Sequence, residues 1–230
     1  MAPRFAIYYA PSVTSPLWDR ASAWLGRDPA SGAAFEGAIA GIERARLLNR
    51  TQSAHRYGFH ATIKPPMALA AGKSPEALRA ALRAFAETAA PVPLGRLGVG
   101  ALGPFLALVP EGNNAALQAF VGRVVEAFEP FRAPLAPEDR TARAAGLTAR
   151  QAALLDAYGY PYVLDEFRFH MTLTDALDDA DRPEMLAAAK TWFAPELAAP
   201  LLLDRLVLYR ESQKGRPFHR LEDFKLGGDA

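Results

Sequence analysis

FRFHMTLT, residues 167–174, repeats a pattern found more than a hundred residues earlier in YGFHATIK, residues 57–64. Both stretches contain Phe-His-x-Thr followed by an aliphatic residue. The chain has four histidines, and two of them, His60 and His170, have a threonine two places later. A purely structural repeat would need small polar residues at these points, not a histidine each time. The duplication therefore indicates two functional segments.

Both stretches are predicted to be β-strands, over residues 56–64 and 166–174. Side chains alternate between the faces of a strand. The polar faces are predicted to carry His60, Thr62 and Lys64 in the first copy, and Glu166, Arg168, His170, Thr172 and Thr174 in the second. The apolar faces are predicted to carry Tyr57, Phe59, Ala61 and Ile63, then Phe167, Phe169, Met171 and Leu173. Each histidine then lies about 7 Å from its threonine along the strand, at roughly 3.3 Å per residue.

Two imidazoles beside two hydroxyls favour acid–base chemistry at an anionic centre. Imidazole gives or takes a proton near neutral pH, so one ring suits a general base and the other a general acid. Threonine hydroxyls donate hydrogen bonds to anionic oxygens. A phosphodiester fits this arrangement, and because it carries a single negative charge, neither a metal nor another cofactor is expected.

A metal site is the main alternative chemistry. His60 and His170, with Glu166 or Asp175, offer nitrogen and oxygen ligands. Neither histidine occurs in a zinc spacing such as H-E-x-x-H, and paired threonines are not a usual ligand set. The alternative from another class of protein is a binding module that retains a phosphorylated ligand without turnover.

The two motifs resemble the H-x-T-aliphatic pair of the two-histidine phosphoesterase superfamily, with "HATI" at 60–63 and "HMTL" at 170–173. Longer stretches, among them "RFAIYYAP", "RYGFHATIKPP" and "GYPYVLDEFRFHMTLT", are similar to its phosphonate-metabolism-associated branch. The resemblance implies a bilobal α+β fold, with two antiparallel sheets facing a central cleft and helices outside. It implies one domain over residues 1–230, whose first lobe carries His60 and whose second carries His170.

The resemblance also implies roles for the motif residues. His60 and His170 become the catalytic pair, and Thr62 and Thr172 become the phosphate-binding pair. The implied reaction is hydrolysis of a small cyclic phosphodiester, either a cyclic nucleotide or a cyclic ribosyl or sugar phosphate. Processing of RNA 2′,3′-cyclic phosphate ends is a further alternative.

Two basic residues share the predicted polar faces of the motif strands. Lys64 and Arg168 are therefore candidates for binding an anionic substrate, although either position also suits a solvated charge at the rim of a cleft.

The composition narrows the partners. The 230 residues carry 26 basic and 25 acidic side chains, a formal net charge of +1, and no cysteine. This balance gives no global attraction to long nucleic acid or to membranes. The expected partner is a small phosphorylated metabolite. We expect a cytoplasmic protein, since the N-terminal apolar run is too short for a signal peptide, and a monomer is favoured.

The remaining pattern mixes helices and strands. Helical spacing and capping residues predict a helix that begins at Ser74-Pro75, a second over residues 113–131, and a third that ends at Gly159. The order of elements predicts two similar α+β halves rather than a doubly wound parallel sheet.

Overall fold

The computed structural model describes residues 2–112 and 114–228. Its helices are α1 (Pro16–Leu25), α2 (Arg44–Asn49), α3 (Gln52–Tyr57), α4 (Pro75–Thr88), α5 (Ala115–Ala127), α6 (Pro137–Ala144), α7 (Ala149–Tyr158) and α8 (Arg182–Leu197). Its strands are β1 (Arg4–Tyr9), β2 (Ala61–Met67), β3 (Val92–Gly95), β4 (Leu97–Leu102), β5 (Phe105–Pro110), β6 (Met171–Thr172), β7 (Leu201–Leu203), β8 (Arg205–Glu211) and β9 (Phe218–Lys225). Within these described ranges, no helix has the length and apolar character that a bilayer crossing requires.

Helix boundaries follow capping residues that are visible in the sequence. Ser74 accepts a hydrogen bond from the backbone N–H three residues on, and Pro75 opens α4. Asn114 caps α5 in the same way. α7 ends at Gly159, whose φ of +71° lies in the left-handed region that glycine tolerates best. These contacts satisfy backbone groups left free at helix ends, and the predicted boundaries at Ser74-Pro75 and Gly159 are confirmed. The second predicted helix, residues 113–131, is shorter in the structure, where α5 is Ala115–Ala127, and residue 113 lies outside the described residues.

The sheets are antiparallel, which confirms the predicted α+β class. The first lobe is built on a four-stranded sheet in the order β2-β1-β8-β9. The second lobe is built on a three-stranded sheet in the order β4-β5-β6. A ribbon of β3 and β7 connects them, because β3 leads into β4 and β7 leads into β8. The first lobe therefore contains strands from both ends of the chain.

A continuous apolar core joins the lobes. It contains Ile7 and Ile63 from the first sheet and Leu108 and Met171 from the second, all almost fully buried. A smaller cluster covers the opposite face of the first sheet and includes Tyr8. Because side chains alternate along β1, adjacent residues of this strand pack into different clusters.

Both motif segments contain less strand than predicted. In the first, α3 occupies residues up to Tyr57, and Gly58, with φ +79°, turns the chain before β2 begins at Ala61. In the second, β6 is limited to Met171–Thr172, because the next two backbone N–H groups both bond to the Leu106 carbonyl and leave the ladder. The first strand also continues through Pro65-Pro66 to Met67, since an edge strand tolerates proline.

A β-bulge in β2 changes the position of Lys64. Ile7 pairs with Lys64, whereas the next residue, Tyr8, pairs with Thr62, so Ile63 is an extra residue on β2. The alternation is interrupted there, and the Lys64 side chain is 1% exposed. Its Nζ donates to the Val125 carbonyl oxygen at 3.0 Å and to Glu129 at 2.8 Å. Lys64 is therefore buried and ion-paired rather than on the polar face where the sequence places it, which argues against the predicted role in substrate binding.

We predict that Lys64 matters for stability and not for substrate binding. Burial lowers the pKa of Lys64, and the Glu129 carboxylate opposes that shift. Glu129→Gln leaves a buried ammonium without its counter-charge, so we expect a loss of about 3 kcal/mol in the free energy of unfolding, measured by urea denaturation.

Lys64→Met is the matched variant. It keeps the length of the side chain, and Glu129 retains Arg132 at 2.5 Å, so the expected loss is about 1 kcal/mol or less. Neither substitution should change KM for a bound phosphate ester by more than about twofold. A rise in KM for Lys64→Met but not for Glu129→Gln would show that Lys64 does bind substrate.

Candidate active site

The two motif strands lie at facing edges of their sheets. β2 is the outer strand of the first sheet, and β6 is the outer strand of the second. Cα atoms of β2 and β6 approach within 8 Å of each other. The polar side chains on the two edges therefore lie close to one another.

The space that they line consists of two adjoining cavities, which we call the cleft. One has a volume of about 500 Å³ and is lined by His60 and Thr172; the other, about 480 Å³, is lined by His170. Thr62 lines both cavities, together with Pro65, Phe105 and Tyr160. All four predicted motif residues therefore line the cleft, with the two histidines in adjoining cavities that share Thr62, and each cavity has a volume typical of small-molecule sites.

The two imidazoles are held in the same way. His60 Nδ1 lies 2.8 Å from the Gly58 carbonyl oxygen, and His170 Nδ1 lies 2.8 Å from that of Arg168. In both cases the acceptor is the carbonyl two residues earlier. Since a carbonyl can only accept, Nδ1 carries the proton, and the neutral ring keeps Nε2 as a proton acceptor.

Aromatic contacts distinguish the two rings. The Tyr8 ring stacks on His60 with centroids 3.8 Å apart, and the Tyr57 ring lies 6.0 Å from it. The nearest aromatic contact of His170 is Phe105, at 5.9 Å. His60 therefore lies in the more apolar surroundings.

This difference is reflected in the proton affinities. Burial lowers the pKa of His60 to about 4, the bond to Gly58 opposes the shift, and the charge of His170 adds to it. Burial also lowers the pKa of His170, against the bond to Arg168. Burial thus favours the neutral form of both rings, and the charge of His170 affects the pKa of His60.

Both threonines line the His60 cavity. Thr62 Oγ1 is 3.2 Å from His60 Nε2, so the hydroxyl can donate to the bare nitrogen. Thr172 lines the cavity of His60 although it belongs to the other lobe. An oxygen placed between the lobes therefore has hydroxyls within reach from both strands.

Arg168 lies where the sequence predicts it, since its exposed side chain lines the His170 cavity. Tyr57 was expected on the apolar face but lines the cleft, because it ends α3 instead of continuing a strand. Three further residues, Arg4, Tyr8 and Arg143, line the His60 cavity and were not predicted. Alternation along β1 could have indicated Tyr8, whereas no local signal in the sequence indicates the arginines.

The carboxylates considered as metal ligands have other partners. Asp175 accepts hydrogen bonds from the Ser53 N–H, and Glu166 accepts one from Gln151 at 3.0 Å. Across residues 2–112 and 114–228, no three His, Asp or Glu side chains gather into a group suited to a metal ion.

Comparison with solved structures gives distant similarities that cover nearly the whole chain. The protein TT0787 of Thermus thermophilus is 15% identical, with a TM-score of 0.43, over 99% of this chain and 100% of that one. E. coli LigT, complexed with NADP+, is 12% identical, with a TM-score of 0.41, over 98% and 99% of the two chains.

Curated relatives are closer in sequence. A protein of Janthinobacterium sp. (strain Marseille) named "Ribose 1,5-bisphosphate phosphokinase PhnN" is 43% identical over 221 residues, or 94% of this chain and 49% of that protein. The protein of the same name from Laribacter hongkongensis (strain HLHK9) is 38% identical over 94% and 50% of the two chains. The chain thus spans about half the length of these relatives.

Residues 62–219 match the family described as "Protein of unknown function (DUF1045)". The matched region begins at Thr62, in the first motif, and includes all of the second. It covers well over half of the chain, and the protein therefore belongs to this family.

Proposed function

We propose that this protein is a metal-independent phosphoesterase that hydrolyses a small cyclic phosphodiester. The observation that carries the proposal is the paired anchoring of His60 and His170, each through Nδ1, on facing strand edges of one cleft. Two bare Nε2 atoms in adjoining cavities that share Thr62 suit an in-line displacement, with a base on one side of phosphorus and an acid on the other.

Hydrolysis in this cleft needs one water molecule and two proton transfers. The water attacks phosphorus, forming a new P–O bond, and its proton moves to the Nε2 atom of one histidine. The P–O bond to the ring oxygen breaks, and the other histidine, as imidazolium, protonates the departing alkoxide. The product is a phosphomonoester, and proton exchange with solvent restores both rings.

The surroundings of the rings suggest which histidine has each role. His60, with a pKa of about 4, stays neutral over most of the pH range and suits the base. His170 lacks the stacked tyrosine and suits the acid. A bound phosphodiester anion favours the charged form of a nearby imidazole, so binding promotes protonation of His170.

The threonine hydroxyls are assigned to the non-bridging oxygens. Negative charge on these oxygens changes as the displacement proceeds, and fixed donors stabilise it without having to reorganise. Thr62 and Thr172 approach from different strands and thereby hold the phosphorus between the two imidazoles. Arg168, at the exposed rim of the His170 cavity, adds positive charge there.

The names of the curated relatives inform the substrate class. They name a kinase for ribose 1,5-bisphosphate, but this chain has no G-x-x-x-x-G-K-[ST] phosphate-binding loop: its Gly72-Lys73-Ser74 has Met67 where the first glycine would stand. We therefore do not assign the kinase activity to this chain. Opening a cyclic phosphodiester of ribose yields a ribose phosphomonoester, which is the class of compound that the kinase name specifies.

The first test is hydrolysis of a panel of cyclic phosphates by wild type, His60→Gln and His170→Gln. The panel contains 2′,3′-cyclic nucleotides, ribose cyclic phosphates and short RNA with a 2′,3′-cyclic end. Loss of a positioned acid or base should lower kcat by about 10²–10⁴-fold. His219→Gln, on an exposed position of β9 outside the cleft, is the matched control and should keep wild-type rates.

Other outcomes separate the alternatives. Equal rates for wild type and both cleft variants would refute the assignment. Stoichiometric recovery of an unchanged ligand would identify a binding protein instead. Loss of activity with EDTA would favour metal chemistry, and a steep salt dependence for the RNA alone would favour RNA end processing.

The second test is the pH dependence of kcat/KM, which reports the pKa values of the free enzyme. The base must be neutral, so activity should fall as pH drops through the His60 pKa of about 4. The acid must be protonated, so activity should fall as pH rises through the His170 pKa, which burial holds below the usual 6.5. We expect a bell-shaped profile with its maximum below pH 6.5.

Tyr8 provides the control for this profile. Tyr8→Leu removes the stacked ring, admits water to His60 and should move the acidic limb upward toward pH 6.5. Tyr8→Phe keeps the ring and should leave the limb in place. An acidic limb that is the same in all three proteins would contradict the role of His60 as the buried base.

A further inference from the structure

The cleft continues past the wall formed by Pro65 and Pro66. A third cavity of about 190 Å³ lies there, lined by Arg4, Arg132 and Arg143. Arg4 and Arg143 line both this cavity and the His60 cavity. These two arginines therefore stand where the histidine site opens into a smaller, cationic space.

Arg4 belongs to a cluster with excess positive charge. Arg4 Nε donates to Glu211 at 2.5 Å, and Arg56 pairs with the same carboxylate at 2.9 Å. Glu211 is fully buried and also accepts the Gly215 N–H at 2.7 Å. Two guanidiniums share one carboxylate, so one positive charge remains beside the cleft.

Arg143 adds a second positive charge. It lies in the last turn of α6, and its side chain donates to the Gly159 carbonyl oxygen at 2.7 Å. That acceptor is neutral, so the contact fixes the guanidinium without balancing it. The remaining N–H groups of the planar fork are suited to a phosphate.

The acidic residues of the cleft do not cancel this field. Asp139, in the third cavity, pairs with Lys214 at 2.7 Å. Lys214 holds the pKa of Asp139 below its usual value, and the charges of Arg143 and Arg4 lower it further. Asp175 also lines the His60 cavity, and because its partner, the Ser53 N–H, is neutral, its carboxylate offsets one positive charge there. Asp175 does not line the third cavity, where Arg4 and Arg143 lie.

We propose that Arg4 and Arg143 form a second phosphate subsite, so that the substrate is a cyclic phosphodiester of a sugar that also bears a phosphomonoester. This assignment rests on the proposed function. Arg4 precedes Tyr8, the pairing partner of Thr62, by four residues, or roughly 13 Å of strand. An arginine side chain directed into the same cavity shortens that span to one that a phosphorylated sugar ring can bridge.

The test compares two substrates that differ in one group: ribose 1,2-cyclic phosphate with and without a 5-phosphate. Arg143→Gln removes a charge-assisted contact and should raise KM for the phosphorylated substrate about tenfold or more, with little change in kcat. It should change KM for the other substrate by less than about twofold. Arg4→Gln tests the same selectivity, but it also removes an ion pair with the buried Glu211 and could destabilise the protein. Arg143→Gln is therefore the primary variant.

Arg140→Gln is the matched control. Arg140 lies on the same helix, one turn earlier, and pairs with Asp156 on the surface. It should behave as wild type with both substrates. An equal loss on both substrates for Arg143→Gln would indicate only a structural role through Gly159 and would overturn the subsite, as would no loss on either.

A binding measurement separates this subsite from the catalytic proposal. Calorimetry with ribose 5-phosphate should show binding to wild type and to the His60→Gln/His170→Gln double variant, but weaker binding to Arg143→Gln. If wild type cleaves neither substrate yet shows this binding pattern, the phosphoesterase proposal fails and the subsite stands. If both substrates are cleaved equally well and Arg143→Gln binds ribose 5-phosphate like wild type, the subsite fails and the phosphoesterase stands.

Discussion

The segment that follows His170 must be attached to the N-terminal part of the chain, at α1 and after α2, before the two imidazoles can act together. Trp24 donates its indole N–H to the Leu173 carbonyl oxygen at 2.8 Å, and the Asp175 N–H donates to the Arg50 carbonyl oxygen at 2.7 Å. Within the second lobe, the buried Thr174 hydroxyl accepts the Leu106 N–H at 2.9 Å. These bonds are made where β6 is only two residues long, so they hold the chain in the place of a longer ladder. The distance between the two motifs depends on them.

The similar anchoring of the histidines coexists with different surroundings. Both rings use Nδ1 in the same way, and this fixes their orientation and tautomer. Tyr8 covers only His60, which makes the charged form of that ring the less stable one. A symmetric pair would share one proton without preference, whereas this pair has a defined order of protonation. The two imidazoles are therefore oriented by the same kind of backbone contact but differ in proton affinity.

The sequence identified the parts of the site that repeat and missed those that depend on distant pairing. The α+β class, the capped helices and the meeting of His60, Thr62, His170 and Thr172 were predicted, since short motifs and capping residues carry that information. Lys64 was misplaced because a bulge at Ile63 interrupts strict alternation, and the bulge is visible only in the pairing with β1. Arg4 and Arg143 were missed because their positions depend on Glu211 and Gly159, which lie far away along the chain.

The near-neutral charge of the chain conceals a local excess of positive charge. Near the third cavity, Arg4 and Arg56 share Glu211, while Lys64 and Arg132 share Glu129. Each carboxylate holds two cations in place and neutralises only one of them, so every such cluster adds one positive charge. Arg143, held by a neutral carbonyl, adds another. The two carboxylates therefore hold the cations in place without cancelling them, and the positive charge is concentrated where a small, multiply charged anion would bind. A formal net charge of +1 is therefore compatible with a strongly cationic end of the cleft. The near-neutral total argues only against an extended positive surface of the kind that binds a nucleic-acid backbone.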